Sequence, residues 1–184
     1  MTNFLFEPPK FLDPERTLFA AGLMAGQSLA DLGAGSGFYV FAAGKILGDQ
    51  GAVYAVDILE TALEHISAAG RMNGLRNVKT LRCDLEQARS CLSIPEGTMD
   101  YVLLANIVHQ LKNQKELFIE SYRLLKTGGK LIVLEWNDQP GPIGPTAAER
   151  VSPGAIAQLA KQVNLKEAGQ LPTDNYHYGL MYIK

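Results

Sequence analysis

The chain has 184 residues, 47% of them hydrophobic and 20% charged, with a formal net charge of −2 at pH 7. That composition suits one globular domain with a full core. It excludes a large basic field for holding nucleic acid or an anionic membrane, although 17 Lys and Arg leave room for local patches.

Residues 1–12 are aromatic and proline-bearing and read as extended. Asp13-Pro14-Glu15 is a helix start, with an N-cap, a proline at the first helical position and an acid in the first turn. This helix is predicted to reach about Met24, with Leu18, Ala21 and Met24 on one face. Strands and helices then alternate. Gln27 to Leu32 is a short buried strand, and Phe38 to Leu47 a helix closed by Gly48. Ala52 to Val56 is a strand, followed by a helix from Leu59 to Asn73 with Leu59, Leu63, Ile66 and Gly70 on one stripe and Gly74 at its C-terminal cap. Val78 to Arg82 is a third strand, and Met99 to Ala105 a fourth, apolar enough to be buried on both faces. Gln114 to Leu125 is a helix stopped by Thr127-Gly128-Gly129, and Lys130 to Glu135 a fifth strand. The loop from Gln139 to Pro145 holds three prolines and two glycines. Ser152-Pro153 starts a helix predicted to run to about Ala168, and two strands near Glu167 to Leu171 and His177 to Ile183 finish the chain. No repeat or linker interrupts this order. The expectation is a single α/β domain over residues 1–184, with a parallel sheet covered on both faces and residues 1–25 as an arm and helix suited to a lid.

Cys83 and Cys91 are too few for a disulfide scaffold and lack paired metal-ligand spacing, so they read as reduced, buried thiols and no metal is expected. No apolar run is long enough for a membrane span. Met1 to Lys10 lacks the basic-then-apolar layout of a secretory leader. A cytoplasmic location is therefore expected.

The most informative stretch is Ala30-Asp31-Leu32-Gly33-Ala34-Gly35-Ser36-Gly37. Alternating glycines let a backbone approach a ligand closely, and a following helix N-terminus adds free N–H groups. The rival ligands are a dinucleotide and S-adenosylmethionine. A dinucleotide loop wants glycine at the third place of G-x-G-x-x-G, where this chain has Phe38. Asp57, at the end of the second strand, suits two ribose hydroxyls and fits either ligand. Asp84 can accept from an adenine amino group with Leu85 against the ring, or can cap a helix. Asp31 can accept from the ammonium of an amino-acid tail.

The order Asp-Leu-Gly-Ala-Gly-Ser-Gly (31–37), Ala-Val-Asp-Ile (55–58), Cys-Asp-Leu (83–85) and Leu-Leu-Lys-Thr-Gly-Gly-Lys-Leu (124–131) resembles the class I S-adenosylmethionine-dependent methyltransferases, in particular the small type-11 and ubiquinone-biosynthesis-like group. The likeness spans roughly residues 25–184. It implies a seven-stranded sheet of order 3-2-1-4-5-7-6 with strand 7 antiparallel. It also implies a cofactor site made of Asp31, Gly33, Ala34, Gly35, Gly37, Asp57, Ile58, Asp84, Leu85 and Asn106. Thr127 stands where many relatives place proline, a departure confined to the turn.

Methyl transfer from a sulfonium needs positioning and dehydration, and a base only where the nucleophile arrives protonated. Asn106 either orients cofactor and substrate or caps the next helix. His109 is a candidate base or a loop-holding histidine. Trp136 and Glu135 end the fifth strand beside the expected acceptor pocket. Trp136, Arg150 and His177 are candidate acceptor contacts, Arg150 through a lid formed by the Pro/Gly loop. Tyr176, His177 and Tyr178 are expected to face the same cleft, where aromatic faces stabilise a sulfonium. A small-molecule acceptor is expected, because no basic stripe for RNA is present and Asn106-Ile107 replaces the Asn-Pro-Pro-Tyr type of motif. The alternatives are a nicotinamide-dependent oxidoreductase and a cofactor-holding module without turnover.

Overall fold

A computed structural model describes residues 12–141 and 143–184. The expectations for residues 1–11 and for Pro142 lie outside the described residues. The first helix, α1, spans Pro14–Ala21, with Asp13 accepting from the Arg16 amide at 3.1 Å. It ends at Gly22, whose φ of +86° breaks the helix, so Met24 lies outside it and is exposed, contrary to its predicted place on the buried face. Next come β1 (Ser28–Leu32), α2 (Phe38–Leu47), β2 (Ala52–Asp57), α3 (Glu60–Met72), β3 (Val78–Arg82) and β4 (Met99–Ala105). Leu59 precedes α3 as its N-cap and is exposed, so it drops out of the predicted stripe, while Leu63, Ile66 and Gly70 are buried.

A short 3-10 turn over Val108–Gln110 leads to α4 (Gln114–Leu124), which passes directly into β5 (Leu125–Trp136). The predicted stop at Thr127-Gly128-Gly129 is instead an irregular start to that strand. The register jumps from Met99↔Leu125 to Tyr101↔Lys130, and Gly128 at φ +80° takes up the extra length. Helix α5 (Pro153–Gln162) is capped by Ser152 and ends well before Ala168, because Asn164 adopts φ +63° and turns the chain into β6 (Lys166–Leu171). Strand β7 (His177–Ile183) closes the sheet.

The sheet order is β3-β2-β1-β4-β5-β7-β6. β1 to β5 pair in parallel, and β7 is antiparallel to both β5 and β6. Period-two alternation along the central strands feeds two cores. Leu29, Leu103, Ile132 and Leu134 face α1, α2 and Ile66 of α3; Ala30, Val102, Leu131 and Val133 face α4 and α5. The glycine turn after β1 and the tips of β2, β4 and β5 consequently lie at one edge, the place where such sheets bind ligands. Among the described residues no helix is long and apolar enough to cross a membrane.

One buried ion pair fixes the long connection between β3 and β4. Arg123 on α4 donates to both oxygens of Glu120 at 2.6 and 2.9 Å and to the carbonyls of Cys91 and Ile94 at 3.0 Å each. Glu120 also accepts from the Cys91 amide. Arg123→Met leaves Glu120 charged, buried and unpaired, and is expected to cost about 3–5 kcal/mol in urea denaturation. The double variant with Glu120→Leu is expected to recover part of that loss.

Candidate active site

The three glycines of the turn all adopt left-handed φ: Gly33 at +85°, Gly35 at +51° and Gly37 at +81°. The turn is pinned to β2 by the Gly33 and Ala34 amides, which donate to the Val56 carbonyl at 2.8 and 2.9 Å. It delivers the chain into α2 with Gly37 as N-cap and no side-chain cap bond there, so the first-turn amides of α2 point outward unsatisfied.

Directly before this turn sits Asp31, 2% exposed. Its Oδ1 has no hydrogen-bond partner among the described residues. Burial, reinforced by the charge of Asp57, pushes its carboxyl up to about 7. A buried, unpartnered carboxylate beside an uncapped helix N-terminus matches an α-amino acid zwitterion, with ammonium on Asp31 and carboxylate on the α2 amides. The same arrangement is hostile to a dinucleotide pyrophosphate, which would bring negative charge towards Asp31. The structure thus adds a second argument to the one from Phe38, which opens α2 with its ring exposed.

Asp57 is engaged with its own scaffold. Its Oδ2 accepts from the Gly35 amide at 2.8 Å and its Oδ1 from the Leu59 amide at 2.9 Å, joining the turn to the start of α3. Each carboxylate oxygen retains a second acceptor site, which is what two ribose hydroxyls need. Ile58, next in sequence, is half exposed. Asp84 caps a turn rather than a helix, because its Oδ1 accepts from the Glu86 amide at 3.0 Å and irregular turns follow. Leu85 is packed into the core with Cys83, Cys91 and Ile94. Its side chain is therefore part of the core and is not free to lie across the face of a ring, as the sequence reading expects. The two cysteines are free thiols and buried.

The acceptor-side residues divide. Asn106, at the tip of β4, adopts φ +56°, uncommon for a residue other than glycine, and its Oδ1 is buried without a partner among the described residues. It caps no helix; its carbonyl accepts from Gln110 Nε2 at 2.7 Å, and its Nδ2 lies 3.4 Å from His177 Nε2. His109 does not hold the loop through backbone. Its Nδ1 lies 2.8 Å from Glu135, a fully buried carboxylate that also accepts from the Val108 and His109 amides.

Trp136 is nearly buried, its ring 4.1 Å from that of His177 and covered by Gly144 of the Pro/Gly loop. Arg150 has a role in that loop's shape: its guanidinium donates to the carbonyls of Asn137, Gln139 and Pro145, at 2.8, 2.8 and 3.3 Å. The loop is a stapled connector in which Arg150 is occupied internally. Nor do the hairpin aromatics share one face. His177 packs on Trp136, while Tyr178 points to the opposite core and donates to the Val151 carbonyl at 2.6 Å.

Sequence reasoning missed two groups. Tyr39, in the first turn of α2, has a buried hydroxyl whose hydrogen-bonding neighbour is the buried Thr17 of α1, and burial raises its pKa. Asp174 holds His177; the only signal for it was an acid three residues earlier in a Thr-Asp-Asn turn.

A profile of the methyltransferase domain matches residues 30–133, more than half of the chain. The chain belongs to this family: it is a class I S-adenosylmethionine-dependent methyltransferase of the type-11 group. Among curated relatives, the ubiquinone/menaquinone biosynthesis C-methyltransferase UbiE of Vibrio parahaemolyticus is 30% identical over 122 residues, covering 66% of this chain and 46% of that protein. The chain thus matches about half the length of that relative. A SAM-dependent methyltransferase from Aquifex aeolicus superposes with a TM-score of 0.85 at 25% identity, over 94% of this chain and 90% of the other. The geranyl diphosphate C-methyltransferase of Streptomyces coelicolor, solved with S-adenosyl-L-homocysteine, shares the fold at a TM-score of 0.75 and 14% identity, over 92% and 78%. The expected strand order and antiparallel strand 7 are both present.

Two predictions follow from the turn. Asp31 binds its proton more tightly folded than unfolded, so the cofactor-free protein loses stability as pH rises from about 4 through about 7, by at most about 4 kcal/mol. Asp31→Asn is expected to flatten that part of the thermal-unfolding pH profile and, at the same time, to weaken S-adenosylhomocysteine binding. A Cβ on Gly33 would lie 2.5 Å from Ile107 Cγ1 at a φ that side chains rarely adopt. Gly33→Ala is therefore expected to cost about 2–5 kcal/mol in urea denaturation; a loss under about 1 kcal/mol would show that the turn is looser than drawn.

Proposed function

We propose that this chain transfers the methyl group of S-adenosylmethionine, by in-line displacement, to a small organic acceptor. One observation carries the reading: Asp31, its Oδ1 buried without a partner among the described residues, directly precedes the glycine turn that leads into the uncapped start of α2, a negative and a positive centre complementary to the methionine end of the cofactor. The cofactor supplies an activated methyl group and its own leaving group. The protein's part is to hold, orient and dehydrate. Asp31 takes the ammonium, and Gly33, Ala34, Gly35 and Gly37 provide the close backbone. Asp57 takes the ribose with Ile58 beside it, and Asp84 takes the adenine amino group. Asn106, at the tip of β4, orients the reacting end. Trp136 and His177 form the acceptor side. His109, clamped by Glu135, keeps the β4 and β5 tips in register.

The curated relatives are named as C-methyltransferases of ubiquinone and menaquinone biosynthesis. That favours an electron-rich hydroxylated aromatic ring as acceptor here. The reading further takes residues 1–184 as one domain acting in the cytoplasm, with residues 1–25 as arm and helix. Within that segment α1 is docked: Leu18 and Ala21 are buried against the α2 side of the sheet. Nucleic acid is not expected as a partner, since the net charge of −2 offers no attractive field.

Titration calorimetry with S-adenosylhomocysteine is expected to give one site per chain. Asp57→Ala should weaken it by about tenfold to a hundredfold, the worth of charge-assisted hydrogen bonds. A labelled-methyl screen over phenols and hydroquinones should then reveal the acceptor. Silence in the calorimeter for the parent protein would remove the reading altogether.

A further inference from the structure

Asp174 and His177 form a buried pair that the cofactor cradle does not use. His177 is 5% exposed, and its Nδ1 lies 2.8 and 2.9 Å from the two oxygens of Asp174. Asp174 is held in turn by the Tyr176 amide, which donates to its Oδ1 at 2.8 Å. A ring nitrogen held against both oxygens of a carboxylate carries the proton, so in the neutral ring Nε2 is a bare acceptor. Its donor is Asn106 Nδ2 at 3.4 Å, a long hydrogen bond that the protonated group of a substrate would replace. Trp136 fixes the plane of the ring from one side.

The place of this pair matters as much as its geometry. Asn106, on the Nε2 side, has its Oδ1 buried and unpartnered. Asp174 is close enough to Tyr39, in the turn after Gly37, to act on its phenol electrostatically, as Asp31 does. Two buried polar atoms without partners among the described residues, on Asp31 and Asn106, thus lie at the same end of the site, where Ile107 packs against Gly33 of the turn. This is the methionine end, where a methyl group is handed over, and not the adenine end.

We propose that His177 is the proton acceptor for the methyl acceptor's nucleophile and Asp174 its positioning residue, so that the substrate reacts through an atom that arrives protonated. The inference rests on the methyltransferase reading above. In the step, the proton of the nucleophile passes to Nε2 and the freed electron pair forms the bond to the methyl carbon. The electrons of the broken carbon–sulfur bond stay on sulfur, and the imidazolium, held against Asp174, later releases its proton to solvent. Among substrates this selects hydroxyl, ammonium or enolisable carbon acceptors over those that present a free lone pair, such as neutral amines. His109 is less suited, because Glu135 is shared with two backbone amides of the 3-10 turn as well as with the ring.

The test is the tautomer of His177. Full-length protein labelled with nitrogen-15 histidine contains three such rings, assigned with His65→Gln and His109→Gln. Long-range proton–nitrogen correlation at about pH 8, with and without S-adenosylhomocysteine, is expected to show His177 protonated on Nδ1 and bare on Nε2. Asp174→Asn should abolish that preference. A proton on Nε2 in the parent, or an unchanged tautomer in Asp174→Asn, overturns the proposal. With naphthohydroquinone as probe, His177→Gln should keep its S-adenosylhomocysteine Kd while kcat falls by about a hundredfold or more. An undiminished kcat also overturns the proposal, and the tautomer decides alone where the probe is not turned over. Failure of the parent to bind S-adenosylhomocysteine is a different result, counting against the cofactor reading.

Discussion

A carboxylate kept under the glycine turn, one oxygen buried without a partner among the described residues, is the constraint on which this site depends. Water would satisfy Asp31 at no cost, yet β1 carries it into the sheet next to Leu32 and closes the turn over it. Folding therefore proceeds against the charge, and the protein holds the proton instead, up to about pH 7. A cation arriving at that position relieves the penalty. The arrangement discriminates by charge, because a neutral or anionic group at that position brings no such relief.

Asp57 shows the opposite solution one strand away. Its two oxygens accept from the amides of Gly35 and Leu59, so it stabilises the turn and ties it to the start of α3. The charge of Asp57 contributes to the high pKa of Asp31. The two acids are thus coupled through more than shared sequence neighbourhood: the one that is structurally content makes the other hungrier for a cation.

Much of the frame was legible because it follows from periodicity and local chemistry. Asp13-Pro14 and Ser152-Pro153 announced their helices, and the apolar runs at β1, β2 and β4 left little choice but a buried parallel sheet. The misses arise where long-range partners decide. Thr127-Gly128-Gly129 looked like a stop, but its backbone finds Lys184 at the end of β7 and becomes part of a strand. Asn164 ended α5 by turning left-handed, a choice that asparagine tolerates but does not advertise. At the site, alternation along β7 puts His177 and Tyr178 on opposite faces, which three adjacent aromatic-ring residues conceal when read as a cluster. Arg150 is the clearest case: its place beside the Pro/Gly loop suggests a lid over the acceptor, and its Nε and Nη1 donate to three carbonyls of the loop itself, partners that only the folded loop reveals.

The acceptor side carries two histidine–carboxylate pairs, and their surroundings separate them. Glu135 is a hub; it receives amide hydrogens from Val108 and His109 in addition to the His109 ring, so removing its charge would loosen the turn after β4. Asp174 receives one amide and gives both oxygens to one ring. A carboxylate that serves many donors is a structural node, while one that serves a single imidazole mainly sets that ring's tautomer and orientation. The second His177 nitrogen then meets Asn106, which stands at the tip of a central strand in the left-handed conformation that asparagine tolerates. The surrounding structure fixes it there, since the Asn106 amide is tied to the Leu134 carbonyl at 2.8 Å. The fold thus brings a polar side chain, one of its oxygens buried without a partner among the described residues, and an imidazole to one point beside the glycine turn, an arrangement for which packing alone gives no reason.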